Sequence, residues 1–274
     1  MRHDMKLAFI GGGNMATALL GGLAGKLTTA GNIHVVDPNV DAQKRLAERF
    51  GVSTAAAVDA AVYDVDVIVL AVKPQQMKDV AAALLPHLCG QLVLSIAAGI
   101  RATDLSRWLG GHGAIVRCMP NTPALIGQGI TGMAATAGVS AAQKEAAEAI
   151  LRAVGATVWL ADESLIDPVT AVSGSGPAYV FYFIEAMQQA AQELGLTAEQ
   201  GTQLAIATFT GAAQLAAQSD EPVSLLRERV TSKGGTTYAA LTSMEQSGVK
   251  AAIVKALHAA AARGKELGDE LGKD

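Results

Sequence analysis

The chain has 274 residues, half of them hydrophobic, with 29 glycines but only 17% charged and 4% aromatic residues. That length holds two ordinary domains with a well-buried core, and the composition suits closely packed helices and parallel strands while excluding a disordered chain. A formal net charge of −4 gives no electrostatic case for nucleic acid or an anionic membrane, so any basic site must be local. No stretch reaches the roughly eighteen uninterrupted apolar residues of a membrane span, and MRHDMKLAFI lacks the apolar run of a signal peptide. Cys89 and Cys118 lie far apart without metal-ligand spacing; both are expected to be buried, reduced and structural, as in a cytoplasmic protein.

In chain order, the first informative stretch is LAFIGGGNMA, Leu7 to Ala16. Leu7 to Ile10 is a continuous apolar run, as in a strand buried on both faces of a parallel sheet. It breaks into Gly11-Gly12-Gly13, and small and apolar residues then recur at helical spacing through Leu23. Strand, glycine turn and helix form the context in which G-x-G-x-x-A points to dinucleotide binding, the bland alternative being a glycine-rich structural turn. Gly11 would make the tight turn, Gly13 would let backbone approach a pyrophosphate, and Ala16 would let helix and strand pack closely. The helix N-terminus adds unpaired N–H groups and partial positive charge.

Ile33 to Asp37 reads as a second buried strand. Asp37, twenty-one residues after Ala16, stands near the spacing of a ribose-binding carboxylate. It also fits a strand-end turn with Pro38 and Asn39, and the two readings are compatible. An acidic side chain here leans toward NAD, yet Asn39, Lys44 and Arg45 leave NADP open. A helix, Asp41 to Phe50, and a short strand, Val52 to Thr54, follow. Asp66 to Val72 is a buried strand, whose end places Ala71, Val72 and Lys73 where a nicotinamide ribose would lie; Lys73 reads equally well as a solvated loop residue. A helix from Asp79 precedes the strand Leu92 to Ser95, which runs into small residues through Gly99. After a helix from Thr103, the strand Ala114 to Met119 ends in a rigid polar loop, Pro120 to Ala124. Further strands are expected at 129–134 and 157–160, flanking a helix from Ala141 to Val154.

From Asp162 the strand pattern stops. The expected fold is therefore α/β, a Rossmann-type parallel sheet with helices on both faces over residues 1–161, followed by an all-α domain over 162–274. Pro177 fits the first turn of a helix running through Leu194, apolar nearly all round in its first half and so expected to be buried, with a subunit interface as a hypothesis. Ser232-Lys233-Gly234-Gly235-Thr236-Thr237 precedes a helix expected from Tyr238 to Gln246. Such a turn forms either an anion nest suited to a carboxylate or an ordinary capped interhelical turn. A metal set, a G-x-S-x-G elbow and a histidine in catalytic context are all missing from the sequence. A reductase acting on a protonated imine needs little acid–base help, because the carbon is already electrophilic and hydride transfer depends mainly on positioning.

FIGGGNMA, AVKP at 71–74, MPNTPA at 119–124, SGSGPAY at 173–179 and LRERVTSKGGTTYAAL at 226–241 occur in this order. Together they closely resemble the pyrroline-5-carboxylate reductases, across essentially the whole chain. The Gly-Gly-x-Thr segment is the most specific part, since the nucleotide fingerprint is shared with many dehydrogenases. The resemblance implies NADPH- or NADH-dependent reduction of L-1-pyrroline-5-carboxylate to L-proline, the last step of proline biosynthesis. It also implies a helical C-terminal domain that interlocks two subunits, with decamers of five dimers in some members. Carried over by position, Gly11, Gly12, Gly13, Asn14, Met15 and Ala16 would hold the pyrophosphate, with Asp37 and Asn39 at the adenosine ribose. Ala71, Val72, Lys73, Pro74, Ala97 and Gly99 would border the other ribose and the nicotinamide. Ser232, Lys233, Gly234, Gly235 and Thr236 would cradle the substrate carboxylate, with Asn121 and Ser175 also on the substrate side. Thr237 matches the threonine placed to hydrogen-bond the ring nitrogen. One departure stands out: many bacterial members carry an Arg after the second strand, where this chain has Asp37-Pro38-Asn39. A β-hydroxyacid dehydrogenase would instead place a catalytic Lys on a helix of the second domain, whereas Lys233 lies in a glycine loop. A non-catalytic dinucleotide sensor would have no need of that loop.

Overall fold

The computed structural model describes residues 4–273, which form two compact units: 4–176 with 260–273, and Pro177–Ala259. In the first, β1 (Leu7–Ile10), β2 (Ile33–Val36), β3 (Ser53–Ala55), β4 (Val67–Leu70), β5 (Leu92–Ser95) and β6 (Ile115–Met119) pair in parallel in the order 3-2-1-4-5-6. This is the doubly wound order, with its switch point between β1 and β4. β7 (Gly129–Ala135) then runs antiparallel to β6, and β8 (Gly155–Trp159) parallel to β7. The sheet is thus parallel over its first six strands only.

Both faces of the sheet are covered, which is why the strands read as unbroken apolar runs. Successive side chains alternate between faces. Leu7, Phe9 and Val69 pack with Leu19 and Leu20 of α1 (Asn14–Leu23), while Ala8, Ile10 and Ile68 pack with Met77 and Leu84 of α3 (Met77–Leu84). α2 (Val40–Phe50), α4 (Ala102–Trp108) and α5 (Ala141–Arg152) complete the two layers. α5 is held at its start by a reciprocal capping box between Ser140 and Gln143. Of the two cysteines, Cys118 is buried and its thiol pKa is pushed up by burial, but Cys89 is exposed. The expectation of two buried cysteines holds for one, because Cys89 falls in the turn before β5.

This unit continues past residue 161. Ile166, on the short helix α6 (Ile166–Val169), packs with Met119 and Ala134 of the sheet. Beneath it lies a charge cluster that apolar periodicity does not reveal. Arg117, 3% exposed on β6, reaches Glu163 at 3.0 Å and Asp167 at 3.6 Å. Glu163 also accepts from the Ala102 amide at 2.7 Å, tying α4 to the same group. Removing one partner of a buried pair strands the others. Arg117→Met is therefore expected to destabilise the protein by about 2 kcal/mol, at the low end because both carboxylates keep some water. A lowered urea midpoint at fixed protein concentration checks it.

The second unit is helical: α7 (Gly176–Glu193), α8 (Ala198–Gln218), α9 (Val223–Arg229), α10 (Thr236–Gln246) and the first half of α11 (Val249–Leu271). A five-residue π-helical turn, Thr170–Gly174, precedes α7. Phe183 and Phe209 bring α7 and α8 together, with ring centroids 6.4 Å apart. The predicted burial of α7 is not found within one chain. No residue of α7 is buried, and Phe181 and Tyr182 are 59% and 73% exposed. One layer of apolar helices has no second layer to cover its outer face.

Candidate active site

In the first unit Gly11, Asp37 and Ala71 follow directly on the carboxyl ends of β1, β2 and β4. The Gly11 amide donates to the Val36 carbonyl at 2.8 Å, fixing the turn against β2. Gly11 sits at φ 100°, and a Cβ there would lie 2.6 Å from the Ala71 carbonyl oxygen, so only glycine fits. The next amide, of Gly12, donates to Asp37 Oδ2 at 2.7 Å, and Asp37 Oδ1 accepts from the Asn39 amide at 2.8 Å. Asn39 caps α2, its Oδ1 accepting from the amides of Asp41 and Ala42. Asp37 and Asn39 therefore build the strand-end turn and line the cleft together, consistent with both readings of Asp37.

Gly13 is the N-cap of α1. It is exposed, has an ordinary φ of −71°, and no side chain caps the helix. A Cβ at Gly13 would meet nothing within 4 Å. The helix therefore begins with uncapped amides, Gly13 and Asn14 exposed, Met15 half-buried and Ala16 buried beneath them, the arrangement that accepts a phosphate. A cleft of about 640 Å³ opens beside it, lined by Gly11, Gly13, Asp37, Asn39, Ala71, Val72 and Lys73, and also by Ala56, Ala57, Val58 and Gln76. The residues present are suited to a dinucleotide, with uncapped amides at the start of α1 for its phosphates and Asp37 as an acceptor for a ribose. The wall at 56–58 escapes a reading based on the fingerprint. Its signal is that it follows β3, another strand whose carboxyl end faces the cleft.

Five other expected positions have different surroundings. Ala97 is buried in the apolar cluster of Ile68 and Leu84. Gly99 lies against Leu267 and Leu271 of α11, so its missing side chain admits that helix. Neither residue lines the cleft. Asn121 uses both ends of its carboxamide within the fold: Nδ2 donates to the Ser173 carbonyl at 3.1 Å, and Oδ1 accepts from the Ile130 amide at 2.9 Å. It clamps the loop after β6 to the π-helical turn. Ser175 ends that turn through its own amide, which donates to Thr170 at 2.8 Å. Pro74 opens a 3-10 turn after Lys73.

In the second unit, the Gly235 amide donates to the Ser232 carbonyl at 3.0 Å, closing a turn in which Gly234 takes φ 75°. A Cβ on Gly235 would sit 2.6 Å from Ser232 Oγ, so a side chain there would have to displace the serine hydroxyl that lies over it. Helix α10 begins two residues earlier than predicted. Thr236 and Thr237 lie in its first turn and not in the loop, and Gly235 is an N-cap without a side-chain cap. The amides of Thr236 and Thr237 point out of the helix start, where the dipole favours an anion. Thr237 is half-buried, whereas Ser232, Lys233 and Thr236 are exposed.

Comparison with known proteins fits this geometry. Residues 163–267 match a family model described as pyrroline-5-carboxylate reductase dimerisation, and residues 6–99 one described as NADP oxidoreductase coenzyme F420-dependent. The pyrroline-5-carboxylate reductase of Pseudomonas aeruginosa is 48% identical over 269 residues, 98% of either chain. The chain belongs to the pyrroline-5-carboxylate reductase family. Among solved structures, a pyrroline-5-carboxylate reductase from Coxiella burnetii aligns with a TM-score of 0.91 at 41% identity, over 96% of this chain and 98% of that one. The Plasmodium falciparum pyrroline carboxylate reductase, solved with NADP bound, aligns at 0.87 and 30% identity, over 97% and 99%. The family's dimerisation match begins at residue 163, where the strand pattern ends, although by packing the first unit runs on to residue 176.

Proposed function

We propose that this chain reduces L-1-pyrroline-5-carboxylate to L-proline with NADPH or NADH. The observation that carries the reading is the uncapped start of α10, where a Ser232–Gly235 turn leads straight into Thr236 and Thr237. When bound, the reduced nicotinamide cofactor supplies a hydride for the imine carbon. Gly13, Asn14, Met15 and Ala16 hold its pyrophosphate through backbone amides, and Ala71, Val72 and Lys73 border the cleft farther along. The amides of Thr236 and Thr237, aided by the helix dipole, bind the substrate carboxylate. Thr237 Oγ1 hydrogen-bonds the ring nitrogen, accepting from the N–H of the protonated imine and so orienting the C=N bond and favouring the proton at that atom; once hydride has arrived, its O–H can donate to the new amine lone pair. No stronger acid is required, since the imine is electrophilic once protonated. Oxidation of NADPH or NADH that depends on pyrroline-5-carboxylate, followed at the nicotinamide absorbance, tests the reading; a folded protein that binds cofactor but turns over with neither would refute it.

The same reading makes the working form a homodimer. Phe181 and Tyr182 are too exposed for a stable isolated chain, and a second copy's apolar helices supply the missing layer. Light scattering is expected to give the mass of two chains or of an even multiple, five dimers included, and a monomer at micromolar concentration would overturn this. Two free thiols and an NAD(P)H cofactor suit a cytoplasmic location.

A further inference from the structure

We propose that Asp37 makes this chain prefer NADH to NADPH, an inference that rests on the cofactor reading above and deepens it. The side chain is fixed: Oδ2 accepts from the buried Gly12 amide at 2.7 Å and Oδ1 from the Asn39 amide at 2.8 Å. Its backbone is fixed as well, the amide donating to the Ala55 carbonyl at 3.0 Å and the carbonyl accepting from Gln43 Nε2 at 2.7 Å. The negative charge therefore cannot swing away from the cleft wall it lines. Two of the carboxylate's roughly four acceptor sites are engaged, and the others remain for hydroxyl donors. Ribose hydroxyls satisfy that requirement, and a 2′-phosphate, which brings only negative oxygens, does not.

Among the described residues that line the cleft, no cation follows β2 or β3 to offset the charge. Pro38 has no amide hydrogen, and Ala56 and Ala57 on the facing wall carry no polar side-chain group. The start of α2 would ordinarily attract a phosphate, but its Asp41 and Ala42 amides already donate to Asn39 Oδ1, and Asp41 adds a second carboxylate to that turn. Of the two cations in the first half of α2, Lys44 lies 3.9 Å from Glu48, and neither it nor Arg45 lines the cleft. Among the described residues lining the cleft, the one cation is Lys73, which follows β4 and not β2.

The test begins with binding alone: NADH and NADPH are titrated separately into the full-length protein and followed by nicotinamide fluorescence. NADH is expected to bind about tenfold or more tightly, and Asp37→Asn to bring the two affinities together, chiefly by improving NADPH. Equal or tighter NADPH binding by the wild type overturns the inference, as does an unchanged ratio in a folded Asp37→Asn. If that variant does not fold, the wild-type ratio decides by itself. Turnover with pyrroline-5-carboxylate is then measured with each cofactor. A higher kcat/KM with NADPH overturns the preference and leaves the reductase reading standing. Failure with both cofactors removes the reductase reading, while the binding ratio still decides what Asp37 does.

Discussion

Gly13→Asp is expected to weaken cofactor binding by about a hundredfold or more while leaving the melting temperature unchanged or slightly raised. The two halves of this outcome have separate causes. The backbone φ of −71° is ordinary and the space a Cβ would occupy has nothing within 4 Å, so the fold does not require glycine here. Aspartate is moreover among the best N-cap residues, and its carboxylate would take up the uncapped amides of α1. Those are the amides assigned to the pyrophosphate, so the substitution places a built-in anion where a ligand anion must go. Gly11→Ala provides the contrast. It is expected to destabilise the protein by about 2 kcal/mol or more, since φ 100° and the Ala71 carbonyl at 2.6 Å leave no room for a side chain. Thermal melts and NAD(P)H titrations on both variants separate the roles. Normal cofactor binding by Gly13→Asp would mean that the pyrophosphate sits elsewhere.

Thr237→Ala should lower kcat about tenfold or more, with a smaller change in KM for the imine and no change in melting temperature. The residue lies in the first turn of α10, half-buried, and the alanine variant keeps the backbone amide proposed to bind the carboxylate. The hydroxyl and the γ-methyl are lost while the amide stays, so a defect that a serine repairs belongs to the hydroxyl's bond to the ring nitrogen and not to substrate capture. Thr237→Ser restores the hydroxyl and is expected to recover most of the rate. Thr236→Ala, which removes an exposed hydroxyl one position earlier, should leave kcat within about twofold, in line with ordinary surface substitutions. Wild-type kcat in Thr237→Ala would remove that side chain from the mechanism.

Much of the first unit is legible because its strands are buried on both sides. Leu7–Ile10, Ile33–Val36 and Val67–Leu70 carry no polar face except His34, and their glycine and acidic punctuation falls where the doubly wound order puts strand ends. What escapes is nonlocal. Asn121 looks like a polar loop residue free for a ligand until its partners, fifty-two residues ahead at Ser173 and nine ahead at Ile130, are in view. The small residues at Ala97 and Gly99 suit a flat ring equally well, and only the return of α11 to Gly99 distinguishes the cases. The start of α10 is misplaced for a local reason: two β-branched threonines are poor helix formers, so apolar periodicity begins at Tyr238. For α7, periodicity states that a face is apolar without stating which chain covers it. Arg117 did leave a signal, a lone cation inside AIVRCM, and such a residue in a buried strand requires partners from elsewhere.

The end of α11 returns to the dinucleotide-binding unit. Leu271 packs against the cluster of Ile68 and Leu84, Arg107 donates to the Gly272 carbonyl at 2.7 Å, and Arg101 meets Asp269. The unit that contains β1 is therefore completed only by residues that leave the ribosome after the whole helical unit has been synthesised. During translation the flank that receives Leu267 and Leu271 stays open while the intervening helices emerge, although the sheet and its other layer can already pair. A ribosome stalled within α11 should thus hold a nascent protein with a formed sheet and an unsealed flank.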